Sequence, residues 1–212
     1  MNARINFQIL NIVNQDSGAL GPLGMVIHQF SEPGTYDVGV HRQGRRVAST
    51  VFDVDPAGER QIEIHLAALA RHGPIICEAL RVAPNGFVLF HASGGDGYSA
   101  TVTAGTERTI FDTARLGNGD IYATSLLEPG RYKLENTAGS ATAEVRVASA
   151  GSDEEPVYVE VTETSFTPAN IQVSSSQGLV FRVKQPARIV ITRRHGPPSE
   201  RVLQWRDPAE VG

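Results

Sequence analysis

The chain has 212 residues, enough for one large β domain or two to three small ones, and with 41% hydrophobic residues it can bury a core. Its 19 Lys and Arg against 23 Asp and Glu leave a formal net charge of −4, which argues against binding a phosphate backbone as a main task. No apolar run approaches the roughly 20 residues needed to span a bilayer, and the single cysteine, Cys77, can form no internal disulfide.

Met1 to Phe7 runs directly into a loosely alternating strand pattern, Ile5, Phe7 and Ile9, with no basic-then-apolar leader. Together with the lone cysteine this reads as a cytoplasmic chain, the alternative being a mature secreted chain with an added Met or one exported alongside a partner. Gln15 to Gly24 is a loop rich in glycine, and Met25 to Phe30 a strand. Phe30-Ser31-Glu32-Pro33-Gly34-Thr35-Tyr36 then forces a turn, because proline presets φ and glycine accepts positive φ. Tyr36 to His41 and Val47 to Val54 flank Arg42-Gln43-Gly44-Arg45, a hairpin loop, and Asp55-Pro56-Ala57-Gly58 closes that unit. Arg60 to Arg71 fits a strand followed by a helical turn ended by Gly73.

Ile75 to Val82 and Phe87 to His91 read as strands on either side of a Pro84-Asn85-Gly86 turn. The loop Ser93 to Gly97, short strands at Tyr98 to Thr103 and Thr109 to Thr113, and the turn Gly117 to Asp120 follow. Ile121 to Leu127 leads to Leu126-Leu127-Glu128-Pro129-Gly130-Arg131-Tyr132, a second copy of the first bend. Tyr132 to Glu135 and Ala141 to Val147 form a hairpin. In its second strand Ala141, Ala143, Val145 and Val147 share one face, and Glu144 and Arg146 the other. Ala148 to Pro156 is small, polar and acidic, as linkers are. Val157 to Val161, Ile171 to Val173, Leu179 to Val183 and Arg188 to Thr192 are four more strands, and Arg201 to Arg206 a last one.

Each Glu-Pro-Gly bend delivers a tyrosine into a strand, as the tyrosine corner of a Greek-key sandwich does. The expectation is therefore an all-β chain of tandem small Greek-key β-sandwich units, similar to immunoglobulin-like domains. They divide into residues 1–72, 73–150, an acidic linker at 151–156, and a partial unit at 157–212. Pro33, Gly34, Tyr36, Pro129, Gly130 and Tyr132 are the structural corners.

Phe166-Thr167-Pro168-Ala169-Asn170-Ile171-Gln172-Val173, followed by Gly178-Leu179-Val180-Phe181-Arg182-Val183, resembles the opening strands of cupredoxin-like domains. The resemblance covers about 157–192 and implies the fold without its copper chemistry. Lys184 to Thr192 holds neither His nor Cys, and a blue-copper centre needs a thiolate and two imidazoles.

Few residues are placed for chemistry. His28, His41 and His65 lie on strands of the first unit and would form a metal site only by converging in space. Ser93 and Ser99 flank a loop with His91 and Asp96, which supplies the residue types of a hydrolase triad without its geometry. Asp96 and Asp120 lack the regular spacing of an EF-hand. Asp53, Asp55 and the run Asp153-Glu154-Glu155 read as solvated charges. Cys77, in an apolar run, reads as a buried thiol.

Arg42, Arg45 and Arg46 crowd a hairpin tip, and Arg193, Arg194, Arg201 and Arg206 the C-terminal region. Arginine's planar fork suits docking onto an acidic protein surface. Trp205 fits either a core position or an interface anchor. No cofactor is implied. The expected function is that of a non-catalytic structural or accessory subunit binding other protein chains, or further copies of itself, through sheet edges and arginine-rich loops. The alternatives are a module binding a ligand or carbohydrate through Ser93 to Gly97 and Gly117 to Asp120, and a metalloprotein built on the strand histidines.

Overall fold

The computed structural model describes residues 14–72, 80–94, 97–105, 108–149 and 155–194. Cys77, Asp96, Asp153, Glu154, Arg201, Trp205, Arg206 and the strands expected before residue 14 and after residue 194 lie outside the described residues. Alternating burial builds the elements: β1 (Asn14–Asp16), β2 (Met25–Phe30), β3 (Gly34–Arg42), β4 (Arg45–His65), α1 (Leu66–His72), β5 (Leu80–His91), β6 (Tyr98–Ala104) and β7 (Arg108–Asp112). They continue with β8 (Ile121–Ser125), β9 (Gly130–Asn136), β10 (Thr142–Ala148), β11 (Val157–Val161), β12 (Phe166–Thr167), β13 (Asn170–Ser174), β14 (Gly178–Val183) and β15 (Ile189–Arg193). No helix among the described residues is long and apolar enough to cross a membrane.

These strands form two sheets. One has five strands in the order β1-β15-β9-β10-β13, and the other ten in the order β12-β11-β14-β8-β2-β5-β4-β3-β6-β7. The arrangement corrects the expectation of tandem Greek-key sandwiches, immunoglobulin-like or cupredoxin-like: the all-β chain is a stacked-coil, β-solenoid-like body of about 4 turns. Its sheets draw on strands from Asn14 to Arg193. β8 lies between β2 and β14, and β1 pairs antiparallel with β15. Three neighbouring pairs, β4 with β5, β10 with β13 and β11 with β14, include parallel registers.

The cupredoxin-like resemblance is corrected on the same ground. β12, β13 and β14 are strands where the motif puts them. However, β13 joins the five-stranded sheet beside β10, and β14 is inserted between β11 and β8. The motif specifies strand positions, which are local. Pairing partners are non-local, and no short motif encodes them.

Two expected breaks are absent. Asp55 to Gly58 does not end a unit; β4 continues through it with a change of register against β5 between Val54 and Glu59. Pro84-Asn85-Gly86 does not separate two strands, for β5 passes through it with Asn85 at φ 64°. Gly58 explains the crossing. A side-chain carbon there would stand 2.5 Å from the Val82 carbonyl carbon, so only glycine lets the two backbones approach.

The buried residues form one contiguous cluster. Phe30, Tyr36 and Phe52 pack as a ring group, with Tyr36 stacked on Phe52 at 5.3 Å and Phe30 edge-on to both. Each such buried side chain contributes roughly 1.5–3 kcal/mol. Tyr132, Leu134, Val145, Ile189 and Ile191 line the inner face of the five-stranded sheet.

Candidate functional site

The two bends adopt one geometry. Gly34 and Gly130 each have φ 152°. Tyr36 Oη donates to the Glu32 carbonyl at 2.7 Å, and Tyr132 Oη to the Glu128 carbonyl at 2.8 Å. Burial pushes both phenols above their ordinary pKa; at Tyr36 the Glu32 carboxylate adds to the rise and Arg108 opposes it. Pro33 and Pro129 sit inside these closed turns.

The arginines singled out in the sequence divide into two groups. Arg193 pairs with Glu128 and donates to the Pro129 carbonyl at 3.0 Å, so it braces the second bend. Arg194 lies 3.7 Å from Glu144. At the β3–β4 tip, Arg46 is 3.8 Å from Asp37, and both side chains are more than half exposed. Arg42 lies over the Tyr98 ring, 5.4 Å from its centroid, while Arg45 is exposed.

The structure does not gather the strand histidines. His28 Nδ1 lies 2.5 Å from Asp120 Oδ1, and Asp120 Oδ2 accepts from the Gly117 N–H at 2.6 Å. His28 stacks on Phe111, so it ties the Gly117–Asp120 turn to β2. His41 Nε2 meets Thr101 Oγ1 at 3.0 Å. Among the described residues, no three His, Cys, Asp or Glu side chains come together as metal ligands. Asp53 accepts from Thr35 Oγ1 across the β3–β4 pair, and Asp55 accepts from the Ala57 N–H and holds the local backbone.

The remaining polar cluster is Glu63, His65, His91 and Ser93, where β4 runs parallel to β5. Register places His65 beside His91, with ring centroids 4.7 Å apart. His65 Nε2 lies 2.5 Å from Ser93 Oγ. This resembles a serine–histidine dyad, but the other ring nitrogen decides the matter. His65 Nδ1 accepts the Ala68 N–H at 2.9 Å, so it carries no proton. Nε2 therefore holds the proton and donates to Ser93, the reverse of what a base activating a serine must do. His91 Nε2 is 3.7 Å from Glu63. Burial, and secondarily His65, push the His91 pKa below its ordinary value, with Glu63 opposing.

Around this cluster spreads the outer face of the ten-stranded sheet. Its register aligns Tyr158, Val180, Ala123, Met25, His91 and His65 in one row across six strands. The next row holds Ile121, Ile27 and Leu89, ending at Glu63. Phe87 and Tyr158 are 40% and 51% exposed. The outer face of the five-stranded sheet is the opposite in character: Thr192, Lys133, Glu144 and Asn170 make one row, and Lys133 pairs with Glu135 at 2.5 Å. Sequence reading found the arginines and missed this apolar face. The signal was present as apolar residues on both parities of β2 and β5, but which neighbours extend it depends on the pairing of β2 with β8. No protein-family model, curated protein or solved structure matches the chain.

Proposed function

We propose that this protein is a non-catalytic structural or accessory subunit that binds other protein chains in a larger assembly, docking them on the outer face of its ten-stranded sheet. The observation that carries the reading is the pair of adjacent rows that brings Met25, Ile27, Leu89 and Ile121 together on this face, with exposed Phe87 and Tyr158 at its margins. Apolar surface of this extent on a sheet is a contact surface in the making, since burying it against a partner releases its hydration water. The proton on His65 Nε2 supports the non-catalytic part. The partners are protein chains, a second copy included, in preference to nucleic acid, in keeping with the net charge of −4. A lone cysteine suits the reducing cytoplasm.

Size-exclusion chromatography with light scattering, and co-purification from the native source, test the reading. A complex or oligomer is expected, and it is weakened by Phe87→Ser together with Ile27→Ser. A monomer at high protein concentration that retains no partner on native purification would end the proposal.

A further inference from the structure

A second feature lies away from the apolar face. The β3–β4 tip, the end of α1, Gly94 and the start of β6 frame a concavity of about 330 Å³ lined by Arg42, Val47, Ala70, Arg71, Gly94 and Tyr98. Two of its six lining residues are arginines. Arg42 is held over the Tyr98 ring, and a side-chain carbon at Gly94 would stand 4.0 Å from Arg71 Nη2, so that guanidinium leans over the loop backbone. Among the described residues, neither Arg42 nor Arg71 has a carboxylate within ion-pairing distance. Arg45 adds an exposed charge at the same tip. Two guanidiniums lining one hollow, with no carboxylate paired to either among the described residues, are a local excess of positive charge.

We infer that this hollow binds the carboxylate side chain of an acidic peptide segment. Arg42 and Arg71 would take the carboxylate as paired N–H donors, and the aliphatic stem of the same residue would lie on Val47 and Ala70. The apolar lining favours a carboxylate side chain over a phosphate group, which carries no aliphatic stem of its own to lie on those two side chains. The inference rests on the protein-docking reading in one respect, that the ligand is a protein segment, and it adds the charge of that segment.

The test is fluorescence anisotropy of the full chain with a labelled peptide alternating glutamate and alanine, and with its glutamine counterpart. The glutamate peptide is expected to bind, more weakly as salt rises. Arg42→Gln and Arg71→Gln should each weaken it by about tenfold or more. Arg71 is exposed, so its replacement leaves the core intact. Arg42→Lys should recover part of the affinity, because charge returns without the fork. Phe87→Ser should leave peptide binding unchanged. Equal binding of the two peptides, an unaffected Arg42→Gln/Arg71→Gln double variant, or tighter binding of polyphosphate or single-stranded DNA than of the glutamate peptide would overturn the inference. If the glutamate peptide fails to bind while Phe87→Ser together with Ile27→Ser still disrupts the assembly, this inference falls and the docking reading stands.

Discussion

Tyr36 and Tyr132 show how much a single side chain contributes when its backbone is already bent. Each phenol closes a loop onto the carbonyl four residues earlier, with the ring buried and the hydroxyl satisfied. Tyr36→Phe or Tyr132→Phe removes the donor and keeps the ring, so each should cost about 1 kcal/mol, read as a lower midpoint in urea unfolding with unchanged slope. His91 gives a pH signature. Its folded-state pKa lies below the ordinary 6.5, so the unfolded chain takes up the proton first as pH falls. Stability should therefore drop as the solution is acidified through that value, and this penalty is absent above it. His91→Gln should flatten the acid side of a plot of Tm against pH. An unchanged acid slope would show that His91 does not carry the effect.

At the scale of elements, β4 is the informative strand. It pairs antiparallel with β3 from Arg45 to Val54 and parallel with β5 from Phe52 to Val54 and again from Glu59 to His65, so Phe52–Val54 serve both neighbours at once. The register against β5 shifts at Asp55 to Gly58. Composition there says turn, yet the chain passes through because Gly58 lets β4 touch the β5 backbone at Val82. Gly58→Ala forces a backbone shift and should destabilise by about 1–3 kcal/mol, measurable by thermal or urea unfolding. A substitution without effect would mean the two strands have room to separate. β9 and β10 are the contrasting case. Their hairpin is local, its period of two is unbroken, and the expected face of Val145 and Val147 is the buried one.

At the scale of the molecule, the two ends of the described chain are joined. β1 pairs with β15, and Arg188 holds Asp16 in a two-pronged contact at 3.1 and 2.8 Å. That hydrogen bond raises the Arg188 pKa, and Asp16 also accepts from the Gly18 N–H. Both side chains are partly exposed, which screens the pair. Asp16→Asn should still cost about 1 kcal/mol and speed hydrogen exchange of the β15 amides that face β1. Uniform protection across β15 in the variant would show that β1 holds without the ion pair. The joining of distant segments also builds the apolar outer face, because Met25 and Ile27 on β2 meet Ala123 and Ile121 only once β8 has paired.

From its residues alone, the chain is legible as all-β, with its bends at Glu-Pro-Gly, its hairpin at Arg42 to Arg45 and a helical turn after His65. All of these are set by φ preferences and by contacts within a few residues. The sandwich and cupredoxin-like readings failed for a different reason: strands from opposite ends of the chain pair with each other, and a strand's pattern states which face is buried without naming its neighbour. Only the tertiary structure decided that β2 and β8 share an outer face, that His65 holds its proton on Nε2, and that Arg42 and Arg71 look into one hollow. Each depends on atoms far apart in sequence meeting within a few ångströms.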